Sequence, residues 1–458
     1  MLNAVLATID QRKDQTLALL EDFLRIPSIS TSPDHAADCR RCAHWVADQL
    51  KFAMLDVNVM ETGGHPVVVA KNRHVAGRPT VLVYGHYDVQ PPEPLELWTS
   101  GPFDPVVRKN SAGTDAVFAR GAVDDKGQVM CHIEAITSWQ ANGGVPLNLI
   151  VLIEGEEEIG SVHLGQFVHD HKRALQADVC VISDTNQFAR GYPAITTGTR
   201  GLIYQEIIVN GPNRDLHSGL FGGAAPNPAN VLVELLASLH DASGRVNVPG
   251  FYDDVVPITP AEREAWKRLP FSEDAFRADL GVSATIGESG YTVLEQIWAR
   301  PTCDINGITA GYQGPGAKTV IGAQASAKVS FRLVANQDPN KIREAFRQAM
   351  LDRAPPGVTI KFLDHGAAPA YLVPDNHPGL AGARRAIEAG FGKPATLIRS
   401  GGSIPIVSTF KAELGIECLF VGFGLPDDCI HSPNEKFDLD CLHAGTRTAA
   451  ALYAELAK

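Results

Sequence analysis

The sequence predicts an α/β protein with a mostly parallel or mixed sheet and helices on both faces, interrupted by an inserted α+β domain. Short β-branched runs alternate with helical stretches before residue 197, the pattern changes after it, and the alternation returns near residue 370. A chain of 458 residues is long enough for two or three domains. We therefore expect one discontinuous domain of residues 1–196 and 371–458, with residues 197–370 inserted into it.

The first elements are expected to be helical up to about Leu55, because apolar residues such as Leu17, Leu20 and Leu24 recur every three to four positions. Short strands are predicted next, at residues 67–70 (VVVA), 80–88 (TVLVYGHYD), 147–155 (LNLIVLIEG) and 179–183 (VCVIS). A helix is expected between the second and third of them, over residues 127–140. Strands alternating with helices favour a mostly parallel sheet.

The insert is predicted to be a small domain of sheet and helix. Its predicted elements are a strand in YQEIIVNGP (204–212), a helix over 227–240 and strands in AKVSFRLV (327–334) and TIKFL (359–363), with a long polar section before the last two. Helix and strand then alternate again in HPGLAGARRAIEAGFG (377–392), ECLFVGFG (417–424) and a final helix over 442–456. We find no internal repeat and no low-complexity segment.

Composition excludes several classes of partner. The formal net charge is −12 and there is no long basic run, so nucleic acid and anionic lipid are poor candidates. The longest apolar stretch, near Leu147 to Ile153, is far shorter than the roughly 18 residues of a membrane helix. Charged residues such as Asp10 and Arg12 near the N-terminus do not fit a secretory signal. These observations predict a protein without a membrane segment.

The eight cysteines are spread along the chain rather than arranged as a disulfide framework. Only Cys39 and Cys42 lie close together, in a stretch with a helical pattern. A metal or redox role for this pair stays open, but two thiols on one helix face are the simpler interpretation. Reduced cysteines indicate a cytoplasmic location.

Metal-binding residue types follow several of the predicted strands. In an open α/β sheet, ligands gather at the carboxyl ends of the strands. The residues that follow predicted strands are His86 and Asp88, Glu154 to Glu158, and Asp184. Asp124 and Asp125 lie in a Gly-flanked turn before a helix, and His431 lies in a later loop. All of them offer nitrogen or oxygen, and none offers sulfur.

Each of these residues also has an ordinary explanation. His86 fits a hydrogen-bonded structural histidine, Asp124 and Asp125 fit a helix N-terminus, and an acidic run is usually a solvated loop. Taken together, converging carboxylates would repel one another unless a cation held them. A site for two divalent ions fits their number, with one bridging carboxylate and a spare one that takes a proton from water.

Nine ordered segments resemble one known family. They are GHYDVQP (85–91), RGAVDDKG (120–127), EGEEEIGS (154–161), SDT (183–185), DLHSGLFGG (215–223), GAKTVI (316–321), FRLV (331–334), SGGSIP (400–405) and IHSPNE (430–435). The chain resembles the two-metal exopeptidases that include carboxypeptidase G, aminoacylase and, closest in these segments, the carnosinase-like cytosolic nonspecific dipeptidases. The resemblance runs through nearly the whole chain.

The resemblance implies a metal site for two divalent ions per subunit, Zn²⁺ or Mn²⁺ with Co²⁺ also possible. The implied ligands are His86 and Asp184 for one ion, Glu158 and His431 for the other, and Asp124 as the bridge. Asp88 would hold the imidazole of His86, and Glu157 would be the general base. In this family the bridging aspartate also precedes a cis peptide bond, here Asp124-Asp125.

Further segments match the parts of the family that bind substrate. Arg332 would hold the terminal carboxylate, and Gly402, Ser403 and His365 would touch the substrate. The insert would be a lid and dimerisation domain. His217 would reach the site of the partner subunit to polarise the scissile carbonyl, and Thr319 would also contact that site across the dimer. Without the resemblance, His217 fits an ordinary loop, Thr319 an ordinary strand residue and Arg332 a solvated residue on a sheet face.

The sequence thus predicts a cytoplasmic, homodimeric metallodipeptidase acting on unblocked dipeptides, with short peptides left open as further substrates. An amidohydrolase of N-acyl amino acids remains an alternative, although Asp184 rather than Glu matches the dipeptidase branch. A noncatalytic metal-dependent scaffold that binds peptides is a second alternative. Glu157 argues against the scaffold, because binding needs no general base.

Overall fold

The computed structural model describes residues 1–402 and 404–458. Its helices, numbered along the chain, are α1 Leu2–Gln11, α2 Lys13–Leu24, α3 Ala36–Phe52, α4 Lys126–Gln140, α5 Leu164–His171, α6 Ser218–Phe221, α7 Pro228–Ala237, α8 Pro260–Lys267, α9 Glu273–Leu280, α10 Val293–Ala299, α11 Pro339–Arg353, α12 Pro378–Phe391, α13 Ile406–Thr409 and α14 Leu439–Leu456. Among these residues, none forms a helix both long enough and apolar enough to cross a membrane.

The strands are likewise numbered in chain order. They are β1 Asp56–Met60, β2 Val67–Lys71, β3 Thr80–His86, β4 Val106–Lys109, β5 Asp115–Phe118, β6 Asn148–Glu154, β7 Val179–Ile182, β8 Ala194–Thr196, β9 Gly198–Thr199, β10 Gly201–Asn210, β11 Leu216–His217, β12 Thr302–Ala310, β13 Val320–Ile321, β14 Gln324–Leu333, β15 Thr359–Ala368, β16 Tyr371–Leu372, β17 Thr396–Ile398, β18 Glu417–Phe420 and β19 Lys436–Asp438.

The chain divides into two compact units. The first unit comprises Met1–Thr197, Val373–Ile398 and Pro405–Lys458, and the second unit comprises Gly198–Leu372 and Arg399–Ile404. The predicted boundaries differ from this division by one residue at Thr197, by two at residues 371–372, and by the whole of residues 399–404, which the sequence places in the discontinuous domain. Main-chain hydrogen bonds from Ser400 to Gly198 (2.7 Å) and from Arg200 to Gly402 (2.9 Å) hold this segment to the start of the second unit.

The first unit contains an eight-stranded mixed sheet in the order β1-β2-β6-β3-β7-β18-β8-β17. Its centre is parallel, because β3 pairs in parallel with β6 and β7, and β7 with β18. The central strands β6 and β7 are buried along their whole length, which explains their continuous apolar runs. The core combines these strands with residues of α1 to α4, α12 and α14. The predicted α/β class is confirmed.

The second unit contains a four-stranded antiparallel sheet in the order β12-β14-β10-β15. Buried and partly exposed residues alternate along β10 and β14, so one face of the sheet is apolar. That face packs with residues of α7 and α11 to form a separate core. The insert therefore has the sheet-and-helix composition that the sequence predicts.

Three helices of the second unit, α8, α9 and α10, lie in the polar section to which the sequence prediction assigns no element. Two of them begin with a capping box, in which a threonine and a glutamate three residues later exchange hydrogen bonds with each other's main chain. The pairs are Thr259 with Glu262 and Thr292 with Glu295. The threonine–glutamate spacing could have indicated the start of both helices. The helices were missed because they are only seven or eight residues long, which gives little periodic pattern.

Candidate metal centre

Three neighbouring strands of the first unit bring predicted ligands to one edge of the sheet. β3 ends at His86, β7 ends just before Asp184, and β6 leads into the loop that carries Glu158. Because β6, β3 and β7 are adjacent and parallel, their carboxyl ends lie at the same edge. Asp124 comes from the turn before α4, and His431 comes from the loop between β18 and β19.

Asp124 belongs to two groups of candidate ligands. One group is His86, Asp124 and Asp184, the other is Asp124, Glu158 and His431, and the ligand atoms within each lie within 4.8 Å of one another. Oδ1 of Asp124 is 3.2 Å from Nε2 of His86, and Oδ2 is 3.0 Å from Nε2 of His431. The carboxylate therefore lies between two histidines, as a bridging ligand would. The bond that follows Asp124 is cis, as the resemblance implies.

His86 is fully buried and presents one ring nitrogen to this cluster. Its Nδ1 lies 3.1 Å from the main-chain oxygen of Asp88 and 3.4 Å from Oδ1 of the same residue. Nδ1 therefore carries the proton, and Nε2 keeps a lone pair. Within the described part of the chain, Nε2 has no partner in hydrogen-bond geometry. A buried imidazole nitrogen in this state fits a metal ligand.

Asp88 connects His86 to the acidic loop. Its side chain is fully buried, and its two carboxylate oxygens accept hydrogen bonds from the main-chain N–H groups of Glu157 (3.2 Å) and Glu158 (3.1 Å). One aspartate thus fixes both the imidazole on β3 and the loop that follows β6. The sequence predicts the first of these contacts but not the second.

Several carboxylates lie close together at this site and shift the pKa values of one another. Burial, together with repulsion from neighbouring carboxylates, raises the pKa of Asp184 well above its usual value. Burial also raises the pKa of Glu157 to about 7, with Glu158 and Asp124 adding to the shift. Divalent ions among these oxygens would favour their ionised forms. The donor set of carboxylates and imidazoles therefore fits a site for divalent cations.

Gln90 is a site residue that the sequence prediction does not assign. Its Nε2 donates hydrogen bonds to Oε2 (2.9 Å) and to the main-chain oxygen (3.2 Å) of Glu158. These two bonds hold the Glu158 side chain in one orientation relative to its own main chain. The available signal was its place inside GHYDVQP, four residues after His86 at the end of β3.

His217 and Thr319 lie next to each other in the second unit. β11 and β13 form a two-stranded ladder in which His217 is paired with Val320, and Ser218 N–H donates to the main-chain oxygen of Thr319 at 3.1 Å. Nδ1 of His217 accepts a hydrogen bond from Gly219 N–H at 3.0 Å. The proton of the neutral ring is therefore on Nε2, which leaves that nitrogen as a donor.

Arg332 and His365 lie on the sheet of the second unit. Arg332 alternates with buried Phe331 and Leu333 on β14, so its side chain is on the face opposite the core. His365 is the extra residue of a bulge in β15, and its Nε2 lies 3.3 Å from a carboxylate oxygen of Glu206. Bulges of this kind redirect a side chain out of the regular ladder.

The described residues 400–402 and 404 of the SGGSIP segment belong to the second unit, and Pro405 belongs to the first. The main-chain oxygen of Gly402 accepts the hydrogen bond from the Arg200 N–H. The next residue, Ser403, lies outside the described residues. Nε of Arg200 also donates to the main-chain oxygen of Gly401 at 3.1 Å. Arg332 is close enough to lower the pKa of Arg200, which falls to about 10 mainly through burial. The guanidinium group of Arg200 therefore lies against this segment.

Comparison with known proteins agrees with the geometry of the first unit. Residues 82–455 match Peptidase family M20/M25/M40. The Cys-Gly metallodipeptidase DUG1 of Candida albicans is 31% identical, over 98% of this chain and 96% of that protein. The Beta-Ala-His dipeptidase of Homo sapiens is 32% identical, over 100% of this chain and 93% of that protein.

A solved structure shows the same fold over nearly the whole chain. The M20 family metallo-carboxypeptidase Sso-CP2 from Sulfolobus solfataricus superposes with a TM-score of 0.86 at 31% identity, covering 96% of this chain and 99% of that one. The resemblance found in the nine sequence segments is confirmed by both the family match and these relatives. The chain belongs to peptidase family M20/M25/M40.

Proposed function

We propose that this chain is a metal-dependent dipeptidase that hydrolyses the peptide bond of unblocked dipeptides and releases the C-terminal residue. The observation that carries the proposal is the pair of ligand groups that share Asp124, with Glu157 held beside them by Asp88. The names of the two relatives, a Cys-Gly dipeptidase and a Beta-Ala-His dipeptidase, support dipeptides as the substrate class.

The site would hold two divalent ions, with Zn²⁺ or Mn²⁺ as the first candidates and Co²⁺ as a further one. His86 and Asp184 would hold one ion, Glu158 and His431 the other, and Asp124 both. Bound there, the ions would act as Lewis acids and lower the pKa of water. Asp88 and Gln90 keep His86 and Glu158 in the orientations that such ligands need.

Glu157 is the proposed general base. Its carboxylate takes a proton from the attacking water, the water oxygen bonds to the carbonyl carbon, and the carbon–nitrogen bond breaks. Glu157 then returns the proton to the leaving amine, so the reaction is a balanced hydrolysis. The Asp88 bond to the Glu157 N–H fixes the main chain from which this side chain projects.

The substrate contacts in the proposal come from the second unit. Arg332 would hold the substrate carboxylate, and Gly402, Ser403 and His365 would line the bound dipeptide. The second unit would also pair two subunits into a homodimer, in which His217 and Thr319 serve the site of the partner. Nε2 of His217 carries a proton, which suits a group that stabilises an oxyanion.

The proposal includes a cytoplasmic location. None of the eight cysteines, all of which lie among the described residues, forms a disulfide bond, and seven of them are buried. Cys39 and Cys42 lie on the buried side of α3, where burial raises the pKa of both thiols. Cysteines that form no disulfide bond favour a reducing compartment, and two buried, protonated thiols support a packing role for this CxxC pair.

The test is hydrolysis of a panel of free dipeptides, N-acetyl amino acids and tetrapeptides by protein treated with a chelator and then resupplied with Mn²⁺ or Zn²⁺. We expect cleavage of free dipeptides only after metal is restored. Cleavage of acylated amino acids alone would instead make the protein an amidohydrolase. A folded, metal-loaded protein that cleaves none of these compounds would contradict the proposed activity.

A further inference from the structure

The fully buried side chain of Glu435 is enclosed by the turn that carries Asp124. Its Oε1 accepts hydrogen bonds from the main-chain N–H groups of Val123 (3.0 Å) and Asp124 (3.1 Å). Its Oε2 accepts from the N–H of Gly121 (2.9 Å) and from Nη1 of Arg120 (2.8 Å). Four donors from five consecutive residues thus converge on one carboxylate.

The main chain around Glu435 is fixed to the same region. Its carbonyl oxygen accepts the N–H of Ala119 at 3.1 Å, and the next residue, Lys436, starts β19 in register with Phe118 of β5. His431 lies only four residues earlier, on the loop that leads into β19. Glu435 therefore ties the loop that carries His431 to the turn that carries Asp124.

We propose that Glu435 is a positioning residue that sets the spacing between Asp124 and His431, and with it the affinity of the site for its divalent ions. The inference rests on the proposed function, because it assumes that these two residues are ligands. Among the described residues, no hydrogen bond or ion pair joins the Glu435 side chain to the side chain of either ligand. Glu435 acts through the main-chain N–H of Asp124 and through the short connection to His431.

Only a carboxylate fits this turn. An ionised carboxylate offers acceptor positions on both oxygens and no donor, which matches four converging N–H groups. In Glu435→Gln one oxygen becomes an NH₂ group that points at N–H donors, so the turn must move away from it. Glu435→Asp keeps the charge but shortens the side chain by about 1.5 Å, so it cannot reach all four donors.

The competing explanation is that Glu435 contributes only to general stability, as any buried ion pair can. The first unit offers a matched control in Glu134 of α4, whose side chain is equally buried and accepts two hydrogen bonds from Arg12 (2.5 and 3.0 Å). Glu134→Gln removes a buried charge from an arginine pair that touches none of the proposed ligands. It therefore reports the effect of a purely structural loss.

The experiment compares wild type, Glu435→Gln, Glu435→Asp and Glu134→Gln in the full-length chain. The thermal midpoint is measured without metal, and Mn²⁺ and Zn²⁺ affinity is measured by competition with a chromophoric chelator. We expect lower midpoints for Glu435→Gln and Glu134→Gln. Metal affinity should fall about 10- to 100-fold in the two Glu435 variants and stay near wild type in Glu134→Gln. Metal content at limiting free metal should fall from two ions towards one.

Three results would overturn the inference. Wild-type affinity in a folded Glu435 variant would show that the carboxylate does not set the site, while the proposed function would stand. An equal loss of affinity in Glu134→Gln would show that any buried ion pair matters. A wild-type protein that binds no divalent ion would remove both the inference and the proposed metal site. If Glu435→Gln does not fold, Glu435→Asp supplies the comparison.

Discussion

Asp88 accepts a hydrogen bond from the main-chain N–H of Glu158 at 3.1 Å, although the two residues are 70 positions apart. The same buried carboxylate lies 3.4 Å from Nδ1 of His86. His86 and Glu158 belong to different candidate ligand groups. Asp88 therefore couples the two halves of the proposed site without being a ligand of either.

Replacing Asp88 by Asn should weaken metal binding at both groups. The amide keeps the size of the side chain but replaces one acceptor oxygen with a donor, so either the imidazole or the Glu157–Glu158 main chain loses its partner. We expect metal affinity about 10- to 100-fold lower, measured by chelator competition. Asp178→Asn is the control, since that aspartate also accepts a main-chain N–H, from Thr80 at 2.7 Å. Equal affinity in the two variants would contradict the coupling.

Replacing Glu157 by Gln should separate metal binding from turnover. The side chain loses its ability to take a proton but keeps its size, so kcat with free dipeptides should fall by at least about 100-fold. Metal content, measured by atomic emission after dialysis, should match wild type. Glu157→Asp, which keeps a proton acceptor, should retain part of the activity. Full turnover by Glu157→Gln would remove Glu157 from the mechanism.

Much of the first unit could be predicted because its signals are local. Buried parallel strands give continuous apolar runs, and their ends are marked by the polar residues that follow. The runs at 80–88 and 179–183 thus correspond to β3 and β7, with His86 and Asp184 at their carboxyl ends. Because the carboxyl ends of parallel strands lie at the same edge of a sheet, the assumption of a parallel sheet was enough to place these two residues at that edge.

The contacts that organise the site were not predictable because they join distant segments through the main chain. The Asp88 carboxylate binds N–H groups that every non-proline residue carries, so no side-chain pattern marks its partners. The same is true of Glu435, which lies more than 300 residues from the turn it fills. β4 was missed because it is mostly exposed and lacks the continuous apolar run of β7, which has the same length, and β8 was missed because it has only three residues.

Mixing two inactive variants should test the proposed shared site. A His217→Ala subunit keeps its own Glu157, and a Glu157→Ala subunit offers an intact His217. If His217 serves the partner subunit, each mixed dimer contains one complete site and one doubly defective site. Random reassortment makes half of the dimers mixed, so about one quarter of wild-type activity should return.

The control for this mixing experiment is the double variant His217→Ala/Glu157→Ala mixed with wild type. Its mixed dimers contain no complete site under the shared arrangement, because each site lacks one of the two residues. They keep one complete site if His217 serves its own subunit. After reassortment of equal amounts, a shared site should leave this second mixture about one quarter of wild-type activity, all of it from wild-type homodimers, whereas a His217 that serves its own subunit should leave about one half. Recovery in the first mixture together with the lower value in the second supports the shared site, and no recovery together with the higher value places His217 in its own subunit.

His132 should make the stability of the first unit depend on pH. The ring is buried in α4: Nε2 donates to Oγ of Ser183 (2.8 Å), which donates to the main-chain oxygen of Val421 (2.6 Å), and the hydroxyl of Tyr453 donates to Nδ1 (2.7 Å). These directions require a neutral ring. Burial lowers the pKa of His132 to about 4.

A histidine whose pKa is lower in the folded than in the unfolded state stabilises the fold fully above its unfolded pKa near 6.5, and this contribution is lost as the pH falls towards 4. The difference in unfolding free energy between wild type and His132→Gln should therefore narrow by up to about 3 kcal/mol over that range. Urea unfolding of the metal-free proteins between pH 7.5 and 4.5 measures it. Tyr453→Phe leaves His132 buried, so its unfolding free energy should fall with pH as in wild type. A constant difference between wild type and His132→Gln would mean that His132 is not the group that titrates.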